Sequence, residues 1–202
     1  IYYCFIFLRG DKMQETLQIT AREAVERLLA GNQKYIDAKC GIGDISKEIR
    51  QRTSQHGQAP YAIIVTCSDS RVIPENIFSA GIGELFVIRL AGNVIDDHQL
   101  GSIEYAAGHL GCRLILVMGH THCGAVEAAM NGNPKNYIKF ITDEIRLAIG
   151  DETDATKACE LNVAHSIHII EDSLEIHHME EDSGLRVIGA IYDIESGEVR
   201  LL

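Results

Sequence analysis

The chain has 202 residues, 46% of them apolar and 23% charged, with a net charge of −11. That length fits one domain with a real core, and the balance is that of an ordinary globular protein. The acidic charge speaks against nucleic acid, which wants a basic face, and against anionic membrane; a small neutral substrate meets no such barrier.

Residues 1–8 (IYYCFIFL) form an apolar run. It is far shorter than the ~20 residues that cross a bilayer, and it lacks the basic lead and cleavage site of a signal peptide. Residues 1–19 read as an N-terminal extension, partly non-native with Met13 as the natural start, and residues 20–202 as a single domain. Thr20-Ala21-Arg22-Glu23 is a capping box. Ala21, Ala24, Val25, Leu28 and Leu29 follow at helical spacing, which predicts a helix to about Tyr35. Residues 41–58 read as loop plus a short helix, and 61–66 (YAIIVT) as a buried strand ending at Cys67. Pro74 opens a short helix. Residues 85–90 (LFVIRL) are a second strand, stopped by Ala91-Gly92-Asn93; 99–110 are helical; 113–118 (RLILVM) are a third strand leading into Gly119-His120. Helices are predicted over 123–130, 136–149 and 156–180, and strands over 185–192 and 198–202, joined at Ser196-Gly197.

Short apolar strands alternating with helices imply an α/β fold. The expected architecture is a mainly parallel β-sheet flanked by helices, with an N-terminal helical arm and a C-terminal helix plus strand hairpin. Ligands in such sheets gather at the carboxyl ends of the strands. Cys67 stands just past the first strand and His120 just past the third, so two distant segments meet at one sheet edge.

Those segments are Cys67-Ser68-Asp69-Ser70-Arg71 and His120-Thr121-His122-Cys123. Two Cys and one His suit Zn²⁺. Three protein ligands leave the fourth tetrahedral position open, as in catalytic rather than structural zinc sites. The other cysteines, at 4, 40, 112 and 159, read as reduced thiols of a cytoplasmic protein. His122 reads as pointing away from the metal. His165, His168, His177 and His178 read as a solvated helix face, and Gly81-x-Gly83 as a turn rather than a nucleotide fingerprint.

These motifs resemble those of the β-class carbonic anhydrases: C-x-D-x-R in Cys67, Asp69 and Arg71, and H-x-x-C in His120 and Cys123. The likeness continues through residues 83–87, Arg89, 91–93, 101–105, 109–111, 119–126 and 187–193. It spans roughly residues 20–202, which would be the catalytic domain. The resemblance implies a zinc lyase, carbonate dehydratase, that interconverts CO₂ and bicarbonate by zinc-bound hydroxide. Cys67, His120 and Cys123 would hold Zn²⁺. Asp69 would accept a hydrogen bond from the nucleophile, and Arg71 would hold Asp69 off the metal. One style of family site places a Trp where this chain has Ile64, and the chain has 0 Trp. The other, open style places a glutamine nine residues before the first Cys, which is Gln58 here. The open style is therefore expected. Phe86, Ala91 and Tyr105 match an apolar pocket wall, and Gly124 a backbone N–H aimed into the pocket. Family sites are shared between subunits, so Gln58, Phe86 and Tyr105 are expected to face a partner's zinc in a homodimer, or in a tetramer of paired dimers. Two other readings remain open at this point: a carbonyl sulfide or carbon disulfide hydrolase on the same scaffold, and a non-catalytic zinc-binding module.

Overall fold

Thr20 sets the first helix. Its hydroxyl accepts from the Glu23 N–H and the Glu23 carboxylate accepts from the Thr20 N–H, so both ends of the capping box are made. This helix, α1 (Ala21–Ile36), is followed by α2 (Lys47–His56), β1 (Ala62–Thr66), α3 (Pro74–Ile77), β2 (Leu85–Arg89), a 3₁₀ turn (Ala91–Asn93), α4 (Asp97–Gly108), β3 (Leu114–His120), α5 (Gly124–Asn131), α6 (Ile138–Ile149), α7 (Ala155–Glu171), α8 (Leu174–Ser183), β4 (Arg186–Tyr192) and β5 (Val199–Leu201). The computed structural model describes residues 19–37, 43–132 and 134–202. Cys4, Cys40 and residues 1–18 of the expected extension lie outside the described residues.

The strands form one sheet in the order β2-β1-β3-β4-β5. The first four run parallel and β5 closes an antiparallel hairpin with β4. Both faces are covered, which is why β1 and β3 are apolar at nearly every position. Ile63, Val65, Ile115 and Val117 face one core with Ile103, Val126, Ile145, Val163 and Ile176. Ile64, Leu114, Leu116 and Met118 face the other with Ala24, Leu28, Ile77 and Phe78. A buried Leu or Ile of this kind contributes about 2 kcal/mol; a charge at Ile64, 0% exposed, would break the face that seats α1.

Three of the differences from the sequence reading have a clear physical cause. Strand β3 runs on through His120 rather than ending before it, because β4 pairs with it as far as His120 opposite Tyr192. The His120 backbone is thereby fixed by a ladder and not left to a loop. Helix α4 starts two residues earlier, since Asp96 caps it with Gln99 as reciprocal partner. The stretch 156–180 is two helices. Ser173 breaks it by accepting from the Ile176 N–H while donating to the Glu104 carboxylate, a local bond that competes with helix continuation.

Candidate metal centre

Two adjacent parallel strands bring the halves of the site together. Thr66 of β1 lies opposite Met118 of β3. Cys67 follows one residue later, His120 ends β3, and Cys123 is the residue from which α5 starts. All three are buried. Their ligand atoms, two Sγ and an imidazole nitrogen, lie within 4.8 Å of one another. One ion making bonds of ~2.0–2.3 Å can touch all three.

Whether these residues fit a metal is decided by His120. Its Nδ1 lies 2.9 Å from the Thr121 carbonyl. A carbonyl only accepts, so Nδ1 carries the proton and Nε2 presents its lone pair. That Nε2 is buried and has no hydrogen-bond partner among the described residues. An orphan of this kind costs about 1–3 kcal/mol, and a metal cation removes the cost. The sulfurs agree. The Cys67 thiol is drawn down to about 4, first by the hydrogen bond from the Cys123 thiol and against the cost of burial, with the Gly92 N–H adding to it. Cys123 retains the shared proton and is held up, by Cys67 and by burial, although the Val126 and Ala125 N–H groups favour its thiolate. Two buried sulfurs contesting one proton beside a bare imidazole lone pair is a donor set that lacks positive charge.

Asp69 sits at the rim, its side chain 17% exposed. Arg71 grips it with Nε to Oδ1 at 2.9 Å, a terminal nitrogen to Oδ2 at 2.7 Å, and its own backbone N–H to Oδ1 at 2.9 Å. This fork holds the Asp69 carboxyl well below the usual carboxylate range, opposed by partial burial. The same Arg71 nitrogen donates to the His122 carbonyl at 3.2 Å, which ties the two loops together. His122 itself is exposed, in the left-handed region at φ 55°; that conformation turns its carbonyl rather than its ring toward the site.

Two contacts carry weight that the sequence reading did not assign. Arg89, at the end of β2, donates to the carbonyls of Cys67 (3.1 Å) and Asp69 (2.7 Å). It clips the ligand loop from the neighbouring strand. Gly92 donates its N–H to Cys67 Sγ at 3.2 Å. Both lie in the stretches that carry the resemblance; the available signal was an Arg and a Gly placed just after a strand that pairs with the Cys67 strand.

The remaining expected site residues fall into two groups. Gly124 is exposed at the start of α5, with open space above its Cα. Ala91 is part-buried in the turn that touches Cys67. Gln58, Phe86 and Tyr105 do not join them. Gln58 is exposed beside Gly83, at the amino end of β1 and so ~15 Å or more from Cys67. Phe86 pairs with Ile63, four residues and therefore ~13 Å along the strand from Cys67. Tyr105 lies against Phe86 (6.3 Å between ring centroids) and His109 (5.2 Å) and is 46% exposed. Of the histidines read as a helix face, His165 pairs with Glu144 at 2.7 Å, and more loosely His168 with Asp172 and His177 with Glu181.

A parallel sheet with two sulfurs and one imidazole gathered at its carboxyl edge defines a Cys₂His metal centre of the catalytic zinc type. Comparison with known proteins gives the family. Residues 62–199 match the carbonic anhydrase family model. The chain is 32% identical over 196 residues to carbonic anhydrase 2 of Mycobacterium tuberculosis, covering 89% of this chain and 88% of the relative. It is 34% identical over 165 residues to a Synechococcus elongatus carbonic anhydrase, covering 71% and 60%. Among solved structures it matches the β-carbonic anhydrase CafA of Aspergillus fumigatus at TM-score 0.72 and 28% identity, covering 88% of this chain and 90% of that one. One of the tetrameric β-carbonic anhydrases of Sordaria macrospora shares the fold at TM-score 0.72 and 24% identity, covering 89% and 97%. The chain belongs to the β-class carbonic anhydrases, and with them to the carbonate dehydratases, which are zinc enzymes.

Proposed function

We propose that this chain catalyses reversible hydration of CO₂ to bicarbonate at an open zinc site, with Asp69 and Arg71 as its catalytic dyad. The observation that carries the reading is the three-bond grip of Arg71 on Asp69. Zinc held by Cys67, His120 and Cys123 would be a Lewis acid that makes a nucleophile of water at neutral pH. Asp69, kept ionised by the fork, has lone pairs left to accept a hydrogen bond from the attacking water and orient it toward CO₂. Arg71 keeps that carboxylate turned to itself, so it does not compete for the open coordination position. Gly124 lies at the positive end of α5, which favours the negative charge that develops on substrate oxygen.

The pocket wall is proposed to come from a second copy. Gln58, Phe86 and Tyr105 lie too far from this chain's own Cys67 to line its site, which supports a homodimer as the smallest complete unit. Residues 20–202 would form its single catalytic domain. Cys67, Cys112, Cys123 and Cys159 are free thiols, which fits a reducing compartment such as the cytoplasm. Among the described residues no helix is long and apolar enough to cross a membrane.

Stopped-flow rates on the zinc-loaded protein with CO₂ and with carbonyl sulfide test the reading. A kcat/KM for CO₂ above that for carbonyl sulfide is expected; the reverse order would reassign the substrate, and no turnover of either would remove the dyad from catalysis.

A further inference from the structure

Helix α7 faces the core with apolar side chains, apart from two. Asn162 and Ser166, one turn apart, are each 1% exposed. Buried polar groups are costly unless bonded, and both of these are bonded to one short segment. Asn162 Nδ2 donates to the Gly92 carbonyl at 2.7 Å. Ser166 Oγ lies 2.9 Å from the Asn93 carbonyl and 3.1 Å from the Asn162 carbonyl, and accepts from Asn93 Nδ2 at 3.3 Å. The segment needs holding. Gly92 and Asn93 have φ of 66° and 47°, two left-handed residues in succession. A Cβ on Gly92 would sit 2.7 Å from the Ile145 side chain and 3.1 Å from that of Ala125, so the turn is also pressed against α5 and α6. The Gly92 N–H, held in this way, donates to Cys67 Sγ.

We propose that Asn162 and Ser166 are positioning residues of the metal centre: they lock the Ala91–Asn93 turn so that the Gly92 N–H stays on the Cys67 sulfur. Neither reaches the ligand atoms. An N–H donated to a thiolate withdraws charge from it and so sets how strongly that sulfur donates to a metal. Apolar side chains at 162 and 166 would fill the same space without directing the N–H.

The inference rests on the metal assignment, and Co²⁺ in place of zinc separates the two. The thiolate-to-cobalt charge-transfer band reports sulfur donor strength, and competition with a chelator reports affinity. In Asn162→Leu the band is expected at lower energy, because the sulfur no longer shares its charge with the N–H, while Co²⁺ affinity falls roughly tenfold, because the turn no longer holds Cys67 in place for the metal. Ser166→Ala should move both in the same direction by less. Asn32→Leu is the control: Asn32 is a buried amide bonded to Ile77, Gly197 and Val199, remote from the turn, and its loss should leave band and affinity unchanged. A folded Asn162→Leu with the wild-type band and affinity overturns the proposal. If that variant does not fold, wild-type behaviour in Ser166→Ala does so, and equal changes in Asn32→Leu would do so as well. A wild-type protein that takes up no Co²⁺ overturns the metal assignment and this inference with it.

Discussion

The residues expected to do chemistry separate into two regions with different physical characters. Cys67, Asp69, Arg71, His120 and Cys123 lie at the carboxyl edge of the sheet, tied to one another, to Arg89 and to Gly92. Gln58, Phe86 and Tyr105 lie on the β2 flank, partly exposed, and among the described residues no hydrogen bond links them to the first group. The difference follows from what each has to hold. Two sulfurs and a carboxylate crowd negative charge into a small volume, and only bonds and buried donors on the same chain keep it there. An apolar wall needs only cover, which the proposed second copy would supply.

The largest effect expected within the tied region comes from removing a ligand. Cys123→Ala should lose stoichiometric zinc and lower kcat/KM by more than the roughly hundredfold typical of an outer partner; metal analysis beside CO₂ hydration measures both. Next is Arg71→Ala, which frees Asp69 and is expected to lower kcat roughly a hundredfold while zinc content is retained. Wild-type turnover in that variant would detach the dyad from catalysis.

The β2 flank predicts a smaller effect and a more revealing one. Gln58→Leu should reduce kcat/KM roughly tenfold through loss of one donor. Mixing Gln58→Leu with Cys123→Ala subunits, then exchanging them, should raise the rate above that of either variant. In a mixed pair, one site combines intact ligands with an intact Gln58 from its partner. Absence of any gain would return Gln58 to its own chain or remove it from the pocket. Arg89→Gln, which loosens the clip on the Cys67 and Asp69 carbonyls, should cost about 1 kcal/mol of stability, read by denaturant unfolding. A single proton is the smallest effect. In metal-free protein Cys67 is drawn down to about 4, below the ~8.5 of a free thiol. Its thiolate should therefore persist from neutral pH downward and protonate only as pH falls through about 4. Thiolate ultraviolet absorbance follows this. Cys112 and Cys159, pushed up by burial to about 12 and 11, should contribute nothing in that range.

The capping box at Thr20, the apolar strands β1 and β3 and the Cys67 and His120 motifs were legible because their signals are local. A cap reads over three residues, a buried strand over five or six, and a ligand is recognised by its own chemistry. The break at Ser173 was missed although its cap, onto the Ile176 N–H, is local; only the Glu104 carboxylate that the hydroxyl also reaches lies on another helix. The run of β3 through His120 was not legible, because it rests on Tyr192 opposite it.

By itself the sequence determined which side chains can bind a soft divalent ion and which strand ends carry them. Tertiary structure alone decided that Nε2 of His120 is left bare, that Arg89 and Gly92 reach back to Cys67, and that Tyr105 lies against Phe86. Each of these depends on direction and distance between segments tens of residues apart, set by strand pairing and helix packing that the order of residues does not display.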